Sequence, residues 1–68
     1  MKISARNQIK GVVVSVTPGA VNATVKIDIG GGNLVTSSIT EEAIADLRLQ
    51  EGDAVTVIVK ASDVLIGK

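Results

Sequence analysis

Cysteine and histidine are both missing from this 68-residue chain. Their absence excludes a disulfide, a zinc site of ordinary type and a haem site. It also removes the base from any Ser–His or Cys–His nucleophile pair, and no other nucleophile with an evident base is visible. Phe, Tyr and Trp are missing too. Without them there is no stacking platform for single-stranded nucleic acid and no large ring to anchor a core. Charge of one sign is also lacking, with seven basic residues against seven acidic. That balance leaves no electrostatic footprint for a nucleic-acid partner. No apolar run approaches the length of a membrane span, and the N-terminus shows no signal-peptide pattern. The expectation is a cytoplasmic, non-enzymatic protein with no membrane partner and no organic cofactor.

What is present is aliphatic. Hydrophobic residues make up 46% of the chain, nearly all Val, Ile, Ala and Leu. Residues 1–68 are enough for one small domain, which buries a limited share of its surface and is marginal alone. With disulfides and a Cys/His metal site excluded, oligomerisation is the remaining remedy. A homo-oligomer is therefore expected.

Glycine and the single proline divide the chain into elements. A first strand is expected from Ile3 to Val16, with a bend or bulge at Gly11. Thr17-Pro18-Gly19-Ala20 reads as a turn. A second strand, Val21–Ile29, alternates cleanly, with Val21, Ala23, Val25, Ile27 and Ile29 on one face. Gly30-Gly31-Gly32-Asn33 reads as a hairpin turn and not as a phosphate loop, since no helix or GK[ST] follows. A third strand is expected over Leu34–Ile39. Thr40 then stands at a helix N-cap position before Glu41–Leu47. Glu51-Gly52-Asp53 is a turn, a fourth strand follows over Ala54–Lys60, and a fifth over Asp63–Ile66. The fold class is mainly β: a five-stranded OB-like barrel with one short helix between strands 3 and 4. Val12-Val13-Val14, Val57-Ile58-Val59 and Val64-Leu65-Ile66 are apolar on both faces, and the outer positions ask for a second chain.

Three places carry hydrogen-bond donors. On an opening strand of period two, Ser4 and Arg6 point to the same side and pair a hydroxyl with a guanidinium. The helix start offers Thr40 and the free N–H groups of the first turn, an anion site by geometry and dipole. Lys60-Ala61-Ser62 stands at the end of the fourth strand. Taken singly, Arg6 also reads as a solvated charge, Thr40 as a cap and Lys60 as a strand end. Glu41 and Glu42 must point away if the helix start holds an anion. Asp28, Asp53 and Asp63 are scattered and read as solvated charges.

The opening Ser4-Ala5-Arg6-Asn7-Gln8-Ile9-Lys10-Gly11 resembles the signature of the molbindins, the small molybdate-binding Mop proteins. The likeness continues through Gly31-Gly32-Asn33, Thr36-Ser37-Ser38-Ile39-Thr40 and the run from Gly52 to Lys60, covering essentially the whole chain. The resemblance implies a stand-alone domain that stores or buffers molybdate or tungstate. It further implies a homohexamer built as a trimer of dimers, with oxyanions bound between subunits. The site residues it implies are Ser4, Arg6, Thr40, Ala43, Lys60 and Ala61. Ala43 and Ala61 stand where relatives often carry Ser, so a backbone N–H would replace a hydroxyl there. A pocket made only of donors would suit an unprotonated dianion, whereas hydrogen phosphate would leave its own proton unpaired. A nucleic-acid-binding OB module and a ligand-free assembly protein are the competing readings.

Overall fold

Three inward residues of the second strand carry the core. The computed structural model describes residues 1–68. In order they form β1 (Asn7–Thr17), β2 (Asn22–Gly30), β3 (Asn33–Thr40), α1 (Glu41–Leu47) and β4 (Ala54–Val59), then a 3-10 turn over Ala61–Asp63. Ala23, Val25 and Ile27 of β2 are buried, and the residues between them are exposed, as the period-two pattern requires. Val21, expected on the same face, lies outside the strand and is exposed, because β2 begins only at Asn22.

All pairing is antiparallel, in the sheet order β3-β2-β1-β4. Val13 packs with Val25 and Ile27, and Val16, Ile39, Ile44, Leu49, Val55 and Val57 surround them. The β1–β2 register slips between Val13 and Ser15, so that Val13 faces Ile27 while Val16 faces Val25. The extra residue, Val14, lets both Val13 and Val16 turn inward despite their odd spacing. The bulge is thus at Val14 and not at Gly11. Gly11 is ordinarily paired with Val55. It is glycine because a Cβ there would lie 2.5 Å from Ile27 Cγ2 and 2.8 Å from the Asp28 carbonyl oxygen.

The β2–β3 hairpin turns through Gly31 and Gly32, at φ 63° and 78°. Positive φ at both central positions matches the type I′ geometry that suits the twist of two strands. Helix α1 starts at Thr40, whose Oγ1 accepts the Ala43 N–H at 3.1 Å. It ends at Arg48 in the left-handed region (φ 52°), with Arg48 N–H donating to the Ala45 carbonyl and Leu49 N–H to the Ile44 carbonyl. That is a Schellman closure, and it seats Ile44 and Leu49 together against the core. The 51–53 turn is tied to β1 by Gly52 N–H on the Val13 carbonyl and Val13 N–H on the Asp53 carbonyl. Asp53 also accepts the Gln50 N–H through Oδ2 at 3.0 Å, so it is a turn brace and not a free charge.

Two expectations need correction. The fifth strand over Asp63–Ile66 does not form within the chain: Asp63 ends the 3-10 turn, and residues 64–68 pair with nothing in the sheet. The sheet therefore has four strands and does not close into a barrel, although its order is that of an OB-like fold lacking its last strand. The first strand starts at Asn7 and not at Ile3. Ser4 and Arg6 consequently precede β1, and the period-two argument for their shared side does not apply to them. No helix is long and apolar enough to cross a membrane.

Candidate functional site

The entry to β1 and the exit from β4 meet at one end of the sheet. Asn7 pairs with Val59 at the last rung, and the Asn7 side-chain amide also donates to the Val59 carbonyl at 3.1 Å. Antiparallel register then puts the residues just outside that rung beside each other, Arg6 before β1 and Lys60 after β4. The approach to β1 is braced by Gln8 Nε2, which donates to the Ala5 carbonyl at 3.1 Å.

A groove at this junction is lined by Ser4, Arg6, Lys60, Ala61, Ser62 and Asp63, with Ile3, Ala5 and Ile58 as its apolar part. Ser4, Arg6 and Lys60 are all exposed, and none of their side chains is engaged in the chain's own hydrogen bonds. A hydroxyl, a guanidinium and an ammonium thus stand free around one space, a donor set suited to an oxyanion. The groove is open and measures about 610 Å³. That is much roomier than a tetrahedral oxyanion, so the walls of one chain can hold such an anion on one side only.

Four of the six expected residues are brought together here: Ser4, Arg6, Lys60 and Ala61. Thr40 and Ala43 are not, because the helix start lies at the far end of β3, away from this groove. The Ala43 N–H is already spent on Thr40 Oγ1, and the Glu41 N–H on the Val21 carbonyl. The hydroxyl proton of Thr40 stays free at the cap, since Oγ1 accepts from Ala43 and can still donate. Glu41 does turn away, with its Oε1 accepting the Gly19 N–H at 2.8 Å.

Asp63 also lines the groove, although the sequence pattern places it at the opening of a strand. The 3-10 turn is closed by its N–H on the Lys60 carbonyl at 2.8 Å and brings the carboxyl-bearing residue back to the groove. The groove is consequently not made only of donors. Ser62 was visible in the Lys60-Ala61-Ser62 run, and it supplies a hydroxyl beside the position where Ala61 has none.

A four-stranded antiparallel sheet with one helix between β3 and β4 and a polar groove at the β1–β4 junction defines a small OB-like domain. The chain belongs to the TOBE domain family, which matches residues 3–66. Its likeness to the molbindins, first read from the opening octapeptide, holds across the chain. It is 52% identical over 67 residues to a probable molybdenum-pterin-binding protein of Haemophilus influenzae, covering 98% of this chain and 97% of that protein. Among solved structures it is similar to MopII from Clostridium pasteurianum in an apo form, at 45% identity and a TM-score of 0.92, covering 98% of this chain and 100% of that one. It is also similar to a molybdate-binding protein from Sporomusa ovata, at 38% identity and a TM-score of 0.93, with both chains covered fully (100% each).

Proposed function

We propose that this chain binds molybdate or tungstate in the cytoplasm and stores or buffers it, without catalysis. The observation that carries the reading is the meeting of Ser4, Arg6 and Lys60 in one groove with their donors unspent. The similarity to proteins named for molybdenum-pterin and molybdate binding supports the choice of anion. A bare oxyanion fits better than a pterin complex, because the chain has no aromatic ring on which a pterin could stack.

The anion sits between subunits of a homo-oligomer, a hexamer arranged as a trimer of dimers. The open groove of one chain supplies Ser4, Arg6, Lys60 and the Ala61–Ser62 turn. The helix start of a neighbouring chain supplies the Thr40 hydroxyl, with Ala43 holding that hydroxyl in place by its N–H. This division accounts for why the two groups of expected residues lie apart in a single chain.

Isothermal titration of the dialysed protein with molybdate, beside sulfate and phosphate, tests the reading. Tight molybdate binding at a fixed ratio per chain, with sulfate much weaker, is the expected result. No heat with molybdate, and no rise in melting temperature on adding it, would overturn it. The competing ligand-free assembly draws on the exposed apolar residues Val12 and Leu34 on the outer side of the sheet, and that second outcome would favour it.

A further inference from the structure

A pocket made only of donors rejects an anion that carries its own proton, because that proton is left unpaired. The groove at the β1–β4 junction is not such a pocket, and Asp63 is the reason. The Asp63 N–H on the Lys60 carbonyl at 2.8 Å closes the 3-10 turn. Such a turn closes every third residue, so Asp63 comes round to the side on which Lys60 stands. Both line the groove, together with Ser4, Arg6 and Ser62. Asp63 is exposed, and its carboxylate accepts none of the chain's side-chain hydrogen bonds.

That carboxylate is the one polar side chain of the groove that can only accept. Arg6 and Lys60 only donate, and the hydroxyls of Ser4 and Ser62 do either. Molybdate and sulfate hold no proton at neutral pH, so a carboxylate beside them only repels. Inorganic phosphate and arsenate keep at least one proton there. Such an anion can turn its bare oxygens to the two cations and its O–H to Asp63. The last contact is a hydrogen bond to an ionised acceptor, the short and strong kind.

We infer that the groove takes a second class of ligand, the protonated tetrahedral oxyanions hydrogen phosphate and hydrogen arsenate, and that Asp63 selects them by accepting the hydrogen bond from their O–H. The inference rests on the reading of this groove as an oxyanion site and widens what the site admits. Asp63 is its specificity-determining residue. One carboxylate lowers the affinity for anions without a proton and supplies the acceptor for anions with one. The Thr40 hydroxyl, which the reading above adds from a neighbouring chain, carries no charge and leaves this balance as it is.

Phosphate, arsenate and molybdate, each titrated alone into the dialysed protein and then in competition, test it in the wild type, Asp63→Ala and Asp63→Glu. The wild type should bind phosphate and arsenate. In Asp63→Ala the ratio of phosphate affinity to molybdate affinity should fall more than tenfold, the size of a lost hydrogen bond to a charged group. Asp63→Glu keeps the acceptor and should hold the ratio above that of Asp63→Ala. The Asp63 side chain bonds nothing in the chain, so the melting curves should agree. An unchanged ratio in Asp63→Ala is what plain charge repulsion or a role in the turn would give, and it would overturn the inference. A wild type that binds molybdate but neither phosphate nor arsenate would overturn it too, leaving the molybdate reading intact. Phosphate binding without molybdate binding would overturn the molybdate reading and leave this inference standing, and binding of none would end both.

Discussion

The side-chain amide of Asn7 donates to the carbonyl of Val59 at 3.1 Å, across the last rung between β1 and β4. This bond holds together the two strand ends from which Arg6 and Lys60 extend. Asn7→Ala removes it without touching an anion donor. The expected cost is about 0.5–1.5 kcal/mol of folding stability, read by denaturant unfolding. Molybdate affinity should fall with it, since the strand ends that carry the two cations are held less firmly. Full affinity in a destabilised Asn7→Ala protein would show that the rung does not position them.

Arg6→Ala and Lys60→Ala each remove a charged donor from the groove. A hydrogen bond to a charged group contributes roughly 1.5–3 kcal/mol, so each change should weaken molybdate binding more than tenfold. Both side chains are exposed and bonded to nothing else in the chain, so folding stability should barely change. Titration of each variant, with its melting curve beside it, separates the two effects.

Asp63 brings a carboxylate to the same groove. Like charge opposes a bound dianion. Asp63→Asn should therefore tighten molybdate binding several-fold, with the larger gain at low salt, where screening is weakest. A carboxylate is also the acceptor that a protonated anion needs. The same substitution should raise the preference for molybdate over hydrogen phosphate, measured by competition.

Thr40 closes α1 through the Ala43 N–H and keeps its own proton free. Thr40→Ala should cost about 1 kcal/mol of stability through the lost cap. If the proposed intersubunit site is right, it should also weaken molybdate binding, because the Thr40 hydroxyl donor is gone. Thr40→Ser keeps both the oxygen and the proton, and should restore cap and affinity together. Unchanged affinity in Thr40→Ala would confine Thr40 to capping.

Gly11 lies where β1 passes against β2. A methyl group there would meet Ile27 Cγ2 and the Asp28 carbonyl oxygen inside contact distance. Gly11→Ala should destabilise the fold by roughly 1–3 kcal/mol, the usual cost of overpacking. Thermal unfolding would show it as a lower melting temperature, and a neutral result would mean that β2 moves aside freely.

Much of this fold was legible in the residues themselves. The alternation from Ala23 to Ile27, the glycine turn before Asn33 and Thr40 ahead of Glu41-Glu42 are local signals, each set by pleat, turn dihedrals or cap chemistry over a few neighbours. They placed three strands and the helix within a residue or two. The opening motif directs attention to Ser4 and Arg6, which do line one groove, but the strand geometry used to pair them does not hold. Both lie ahead of β1, and it is the Asn7–Val59 rung, 52 residues apart in sequence, that sets Arg6 beside Lys60.

The aliphatic composition, the lack of Cys, His and aromatic rings, and the short-range turn and cap signals determined a small, mainly β domain with one short helix. Tertiary structure alone decided three things. Val14 became the bulge that turns both Val13 and Val16 inward, because register depends on the facing strand. The tail from Val64 onward stayed out of the sheet, because an apolar run carries no instruction about which strand it pairs with. Asp63 joined the groove, because a 3-10 turn formed where periodicity predicted a strand. The first two turned on strand pairing, and the third on a short turn closed by the Asp63 N–H on the Lys60 carbonyl, neither of which hydropathy alternation encodes.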